Sequence, residues 1–301
     1  MSQPGRAVCG VLLLDKPAGL SSNAALQRVR HMLGADKAGH VGSLDPLATG
    51  MLPICLGEAT KVAGEILSGR KRYRFTVRLG SRTATGDTEG DVVETAPVPP
   101  LDETRLATAL HSFLGVQAQV PPMYSAIKRA GQPLYKLARA GIEVDREPRN
   151  IEIFELLQIG FDGSNLELDA LCSKGTYIRT LAEDIARALG TCGHVSALRR
   201  THVEPFEGAE METLESIAAA AASGREPRIL PADAPLKHLF SVSLDAAATP
   251  RMLHGQAVEA GDCGPAGTVR LYDQAGAFLG LGESDGHGVV RPRRLFVTVP
   301  V

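Results

Sequence analysis

Five cysteines are scattered through the 301 residues, at Cys9, Cys55, Cys172, Cys192 and Cys263, and no two of them form a C-x-x-C pair. An odd number at wide spacing argues against a disulfide framework or a zinc site and for buried, reduced thiols. Long apolar runs are lacking as well. None approaches a membrane span, and Met1 to Cys9 carries Arg6 with no apolar core or cleavage site behind it, so the expectation is a cytoplasmic protein without membrane attachment. Neither sign of charge dominates, the formal net charge being −2, which argues against a uniformly basic nucleic-acid coat. There are no tandem repeats and no long low-complexity tract. With 44% hydrophobic and 22% charged residues, the composition is that of an ordinary globular protein.

The charge that is present lies unevenly. Residues 1–80 hold 11 Lys and Arg against 5 Asp and Glu, so the remainder is acidic overall. A polyanion is drawn to this N-terminal portion and to the later clusters Lys128-Arg129, Lys174 with Arg179, and Arg199-Arg200. Taken singly, each such pair reads as solvated surface charge.

Chain length suits two unequal domains. Val11 to Leu14 reads as a buried strand, and a helix capped by Ser22 or Asn23 carries Leu26, Val29 and Leu33 and ends at Gly34. A strand over Leu52 to Leu56 and a helix over Glu58 to Leu67 follow. In residues 72–79, Tyr73, Phe75, Val77 and Leu79 alternate with Arg72, Arg74, Thr76 and Arg78, a strand whose tyrosine faces inward. Ser81 to Pro100 reads as a mobile loop or hairpin tip, and Leu106, Leu110, Phe113 and Leu114 mark a helix. Residues 151–172 read as a hairpin turning at Asp162 to Asn165. Helices follow through Ile178, Leu181, Ile185 and Leu189, and over Ile217 to Ala222. Ser223 to Pro235 is the linker candidate. Beyond it, short segments at Val269 to Tyr272, Phe278 to Leu281 and Arg294 to Val299 predict a small β-rich domain. The fold class is α/β (α+β): a mixed, largely antiparallel sheet flanked by helices in residues 1–238, with the β-rich domain in 239–301.

The densest chemistry lies in Gly39 to Gly50, a stretch with three glycines, one imidazole, one acid and no lysine. Asp45 there can be the N-cap of a short turn with Pro46 at its first position. A phosphate-binding loop fails, because His40 and Val41 stand where Lys and Ser or Thr are required. An aspartyl phosphotransferase fails too, since Leu47 occupies the position of its companion acid. What remains is a lone acid or nucleophile.

Several ordered blocks make the chain recognisable. They are Gly10 to Pro17 (GVLLLDKP), Gly39-His40 with Leu44 to Gly50, Leu56 to Lys61 (LGEATK), Lys71 to Arg74, Pro122 to Ala126, Cys172 to Thr180 (CSKGTYIRT), and His194-Val195 with Leu198-Arg199-Arg200. Across about residues 10–200 the chain resembles the bacterial tRNA pseudouridine synthase B family, whose members isomerise uridine at position 55 in the T-loop of tRNA. Val41 departs from the family's usual threonine. The resemblance implies the pseudouridine synthase fold, a PUA-like RNA-binding C-terminal domain, catalysis without cofactor or metal, and tRNA, gripped at its T-arm, as partner; no heptad pattern demands a second copy, so a monomer is the expectation. It also implies roles. Asp45 matches the catalytic aspartate, which either attacks the sugar or takes a ribose proton, and Arg179 matches the arginine that pairs with it and keeps it ionised. Tyr73 matches the tyrosine that stacks on the target base, and Tyr177 and Leu198 match residues lining the uracil site. His40 matches the histidine that fills the gap left by a flipped nucleotide. Lys16, Lys61 and Lys128 are candidates for phosphate contact.

Overall fold

The alternation over residues 71–79 is realised in a computed structural model that describes residues 8–129 and 131–296: Lys71, Phe75, Val77 and Leu79 are buried, Tyr73 is half-buried, and Arg74 and Arg78 are exposed. That strand is a central one. In chain order, β1 (Gly10–Lys16) leads to α1 (Ser22–Met32), β2 (Ala38–His40) and β3 (Thr49–Leu56), and a 3-10 turn over Gly57–Val62 runs into α2 (Ala63–Ser68) and β4 (Lys71–Leu79). A hairpin of β5 (Ser81–Thr83) and β6 (Val92–Thr95) precedes α3 (Glu103–His111) and β7 (Gly115–Gln119). The short ladder of β8 (Lys128–Arg129) with β9 (Gln132–Pro133) then leads into α4 (Leu134–Arg139). Next come β10 (Arg149–Phe161), β11 (Asn165–Cys172), α5 (Ile178–Ala188), β12 (Gly193–Val203) and α6 (Leu214–Ala222). The C-terminal elements are β13 (Ser241–Ser243), α7 (Ala248–Leu253), β14 (Val258–Glu259), β15 (Gly267–Tyr272), β16 (Phe278–Ser284) and β17 (Val289–Leu295).

Eight strands form the main sheet in the order β1-β3-β12-β4-β11-β10-β7, with β2 also on β3. Every pairing in it is antiparallel except β12 with β3. Five strands after residue 240 form a second sheet in the order β13-β15-β16-β17-β14. The continuous apolar run of β1 has a reason: Leu12 and Leu14 pack into the core shared with α1, α3 and α5, while Val11 and Leu13 pack on the other face with Ile66, Val203 and Phe206. A strand covered on both faces need not alternate.

Several sequence expectations are corrected. The cap of α1 is Ser21, whose Oγ accepts from the Ala24 amide, which frees Ser22 to hold the backbone of Leu44. Glu58 to Leu67 divides into a 3-10 turn and a short α-helix. Ser223 to Pro235 is no free tether: Leu230 and Val11 exchange both backbone hydrogen bonds, and Leu236 is fully buried. The third C-terminal strand lies at Val289–Leu295 rather than Arg294 to Val299, the end of which falls outside the described residues. β12 has no clean alternation because buried His194 and Arg200 interrupt its apolar face.

The C-terminal sheet is joined to the rest by Val62, Leu236, Leu281 and Phe296, which form one buried cluster, and by Lys61, whose Nζ donates to the Leu295 carbonyl at 2.7 Å. Within the main sheet, parallel pairing of β3 with β12 depends on a missing side chain. Gly50 has φ +96°, and a Cβ there would stand 2.2 Å from the Arg200 carbonyl oxygen. Gly50→Ala is therefore expected to cost about 2 kcal/mol or more. Urea unfolding measures this, and a loss below about 0.5 kcal/mol would show that the strands separate without penalty.

Candidate active site

The loop between β2 and β3 carries Asp45, and three neighbours fix its backbone. Ser22, released from capping, accepts from the Leu44 amide at 2.7 Å and donates to the Leu44 carbonyl at 3.0 Å. Lys16 is fully buried at the end of β1, its Nζ donating to the carbonyls of Pro17, Leu20 and Pro46. The Ala48 amide donates to the Asp45 carbonyl and closes a turn after the acid, while the carboxylate itself turns to Arg179 rather than capping that turn.

Arg179 reaches this loop from the first turn of α5. Its Nε donates to Asp45 Oδ2 at 2.9 Å and its Nη2 to Oδ1 at 3.2 Å, a bidentate pair. Two further donors go to backbone, Nη1 to the Thr85 carbonyl at 2.6 Å and Nη2 to the Tyr124 carbonyl at 2.7 Å. The two side chains differ sharply in access: Arg179 is 4% exposed and Asp45 37%. A sealed cation thus holds an acid that still faces outward.

A second acid stands behind the pair. Asp87 is buried, its Oδ2 lies 3.7 Å from Arg179 Nε, and its Oδ1 accepts from the Thr85 hydroxyl and the Glu89 amide. Burial raises the Asp45 carboxyl above the ordinary aspartate value, Arg179 opposes that rise, and the negative charge of Asp87 adds to it. Burial pulls the Lys16 ammonium down to about 8 against the attraction of Asp45 and Glu89.

Tyr73, on β4, packs its ring against the main core and lies opposite Arg200 in the strand register. Burial raises its hydroxyl, with the Arg200 cation drawing it back. Tyr177 precedes α5, and Gln119 clamps its backbone by accepting from its amide at 2.8 Å and donating to its carbonyl at 3.1 Å. Burial raises its hydroxyl too. Leu198 is buried on β12, opposite Phe75. His40 ends β2, with Nδ1 buried and lacking a hydrogen-bond partner; burial, helped by Arg200, lowers its pKa and favours the neutral ring.

The phosphate-contact candidates divide. Lys16 is corrected: sealed and spent on three carbonyls, it is a brace for the loop. Lys61 is corrected as well, since it bridges the Glu58 carboxylate and the Leu295 carbonyl. Lys128 is exposed on β8. Among the clusters first read as solvated charge, Arg200 is buried and Arg199 is bound bidentately to Asp15 at 2.7 and 2.9 Å. Sequence reasoning missed Ser22, Asp87 and Gln119. Only Asp87 had a signal, an acid directly after a glycine in a Thr-rich turn.

Known proteins match nearly the full length of the chain. The family model described as the TruB family pseudouridylate synthase N-terminal domain matches residues 30–178. A tRNA pseudouridylate synthase B C-terminal domain model matches 179–237, and one for the C-terminal part of pseudouridine synthase II TruB matches 241–296. A protein of Aromatoleum aromaticum named tRNA pseudouridine synthase B is 51% identical over 294 residues, covering 98% of this chain and 94% of its own. This chain belongs to the TruB family of pseudouridine synthases. A Chromohalobacter salexigens relative of the same name is 49% identical, covering 98% of this chain and 96% of its own. Among solved structures, a chain in a Cbf5-Nop10-Gar1 complex superposes with a TM-score of 0.69 at 25% identity, covering 93% of this chain and 79% of that one. A chain in an H/ACA RNP bound to substrate RNA containing 2′-deoxyuridine superposes with a TM-score of 0.72 at 22% identity, covering 96% of this chain and 85% of that one. The mixed, largely antiparallel sheet is thus the TruB-family fold, and the five-stranded unit is its C-terminal part.

The raised Asp45 carboxyl has a kinetic consequence for a TruB-family site. If the carboxylate is the working form, single-turnover rate falls on acidification with a midpoint above 3.8, the ordinary aspartate value. Arg179→Lys removes hydrogen bonds that oppose protonation, so this midpoint moves further up while the plateau rate drops by about 100-fold. A rate–pH profile that keeps its midpoint in the variant contradicts this account of the pair.

Proposed function

We propose that this protein isomerises uridine to pseudouridine at position 55 in the T-loop of tRNA. The observation that carries the proposal is the half-exposed Asp45 carboxylate on a sealed Arg179, in a chain about half identical to proteins named tRNA pseudouridine synthase B. The chemistry is an internal exchange. The bond between uracil N1 and ribose C1′ breaks, the base turns over, and C5 bonds to C1′; C5 loses its proton and N1 ends protonated. No redox partner enters this balance.

In this reading Asp45 acts on the sugar, either by attacking C1′ and leaving again or by taking a ribose proton, and Arg179 orients it for both routes. The Tyr73 ring, packed on one face, offers the other to the flipped base, with Tyr177 and Leu198 shaping the uracil site. Extruding the nucleotide costs a few kcal/mol, and neutral His40 fills the space it leaves. Exposed Lys128 meets phosphate. The chain works as a cytoplasmic monomer, its residues 1–238 acting as the catalytic domain and 239–301 as a PUA-like domain that grips the RNA.

Asp45→Asn is expected to bind a T-stem-loop transcript with affinity near wild type and to form no pseudouridine, as read by carbodiimide mapping. Turnover near the wild-type rate would sink the catalytic assignment, and product at another uridine would sink the assignment of position. Affinity of the wild-type protein should also fall steeply as salt rises from 50 to about 200 mM. A flat response removes the basic residues from the account of binding.

A further inference from the structure

The outer edge of β3 is shared by two strands. Because β1 pairs along β3 from Gly50 to Leu56, the other edge must accommodate both β12, at Thr49 and Gly50, and β2, at Ile54 to Leu56. The sheet forks there, and the loop bearing Asp45 leaves through the fork. Backbone pairing cannot serve the middle of this edge fully. The Pro53 carbonyl is taken by the Val41 amide at 2.9 Å, and the Met51 carbonyl by a side chain, Arg200 Nε, at 2.7 Å. From the same guanidinium, Nη2 donates to the Gly42 carbonyl at 2.9 Å. One side chain therefore ties residue 42 to residue 51 across the loop, with Asp45 between.

Arg200 is 1% exposed. A buried cation held on backbone carbonyls is an expensive way to fill a sheet edge, and an apolar side chain of similar volume would serve packing at least as well. A planar group with several fixed donors has one property that apolar filling lacks: it sets a distance. Its strand position adds a second role. Arg200 lies opposite Tyr73 in the β12–β4 register, so the residue that spans the loop also stands beside the ring expected to receive the base. Gly42 has φ +70°, and a Cβ there would come 3.2 Å from Arg200 Nη1, so the chain leaves room for the guanidinium at that point.

We propose that Arg200 is a positioning residue for the reaction: by spanning Gly42 and Met51 in the fork and facing Tyr73, it fixes the offset between the Asp45 carboxylate and the bound base. This rests on the pseudouridine synthase reading of the site. It differs from the role of Arg179, which touches the acid itself.

Two variants approach the contact from opposite ends. R200K keeps the charge but cannot span both carbonyls, and G42A keeps the arginine but crowds it. For each, RNA affinity by filter binding, melting temperature, and single-turnover release of tritium from RNA labelled at uridine C5 are measured beside wild type. The expected result is affinity within about threefold of wild type, folded protein at the assay temperature, and a single-turnover rate at least about tenfold lower for both. A rate within about twofold of wild type in either folded variant overturns the proposal. So does a loss that only follows the folded fraction or the affinity, including a lysine variant that does not fold, because Arg200 then serves stability or binding alone. Wild-type protein that releases no tritium refutes the enzymatic reading instead, which keeps the two failures apart.

Discussion

A buried guanidinium needs an acceptor for nearly every donor it carries, and in this fold the acceptors of Arg179 come from three places far apart in the chain. Asp45 belongs to the loop between β2 and β3, Thr85 to the β5–β6 hairpin, and Tyr124 to the segment after β7. None of these segments is regular where it meets Arg179, and each would cost desolvation energy if it withdrew. The requirement that one cation be satisfied therefore organises three loops into a single wall. α5 supplies the fixed point. Its hydrophobic face, with Ile178, Leu181 and Ile185, is sunk in the core, so the arginine on its first turn has little freedom.

The charge balance around that point is uneven, and the unevenness matters for chemistry. Two acids, Asp45 and Asp87, share one arginine, with Lys16 contributing from behind the loop. An acid with a private, ideal partner would be strongly acidic and inert. Here burial and a neighbouring like charge work against the arginine, and Asp45 keeps part of its side chain exposed, the condition that the proposed engagement of a sugar requires.

How far all this was legible in the sequence depended on the kind of residue. β1 and β4 were readable because apolar runs and alternation leave a direct trace, and Tyr73 was placed on the inner face by parity alone. The closing strand β12 was not, because it carries a buried arginine and a buried histidine where pattern rules expect aliphatic residues. The pairing of Asp45 with Arg179, 134 positions apart, came only from resemblance to a known family. Spacing by itself favoured an ordinary turn for the first and a surface arginine for the second. Lys16 and Lys61 show the opposite error: a lysine defaults to solvent in any sequence reading, and nothing local says that three carbonyls or a distant strand end will claim its ammonium. Ser22 is similar. Ser22 and Asn23 read as the candidates to cap α1, but Ser22 is held on Leu44 and the residue before it, Ser21, takes the cap.

The central claim is geometric: these loops converge so that Asp45, still bound to Arg179, addresses the ribose of a base seated on Tyr73. It is tested most directly by a crystal structure of the protein with a T-stem-loop whose target uridine carries a 5-substituent that blocks completion. The expected result is a flipped nucleotide with its base against the Tyr73 ring, an Asp45 oxygen within about 3.5 Å of the ribose and the Arg179 pair intact. A target nucleotide seated away from Tyr73, or a complex in which Asp45 has left Arg179 and points away from the sugar, would contradict the account.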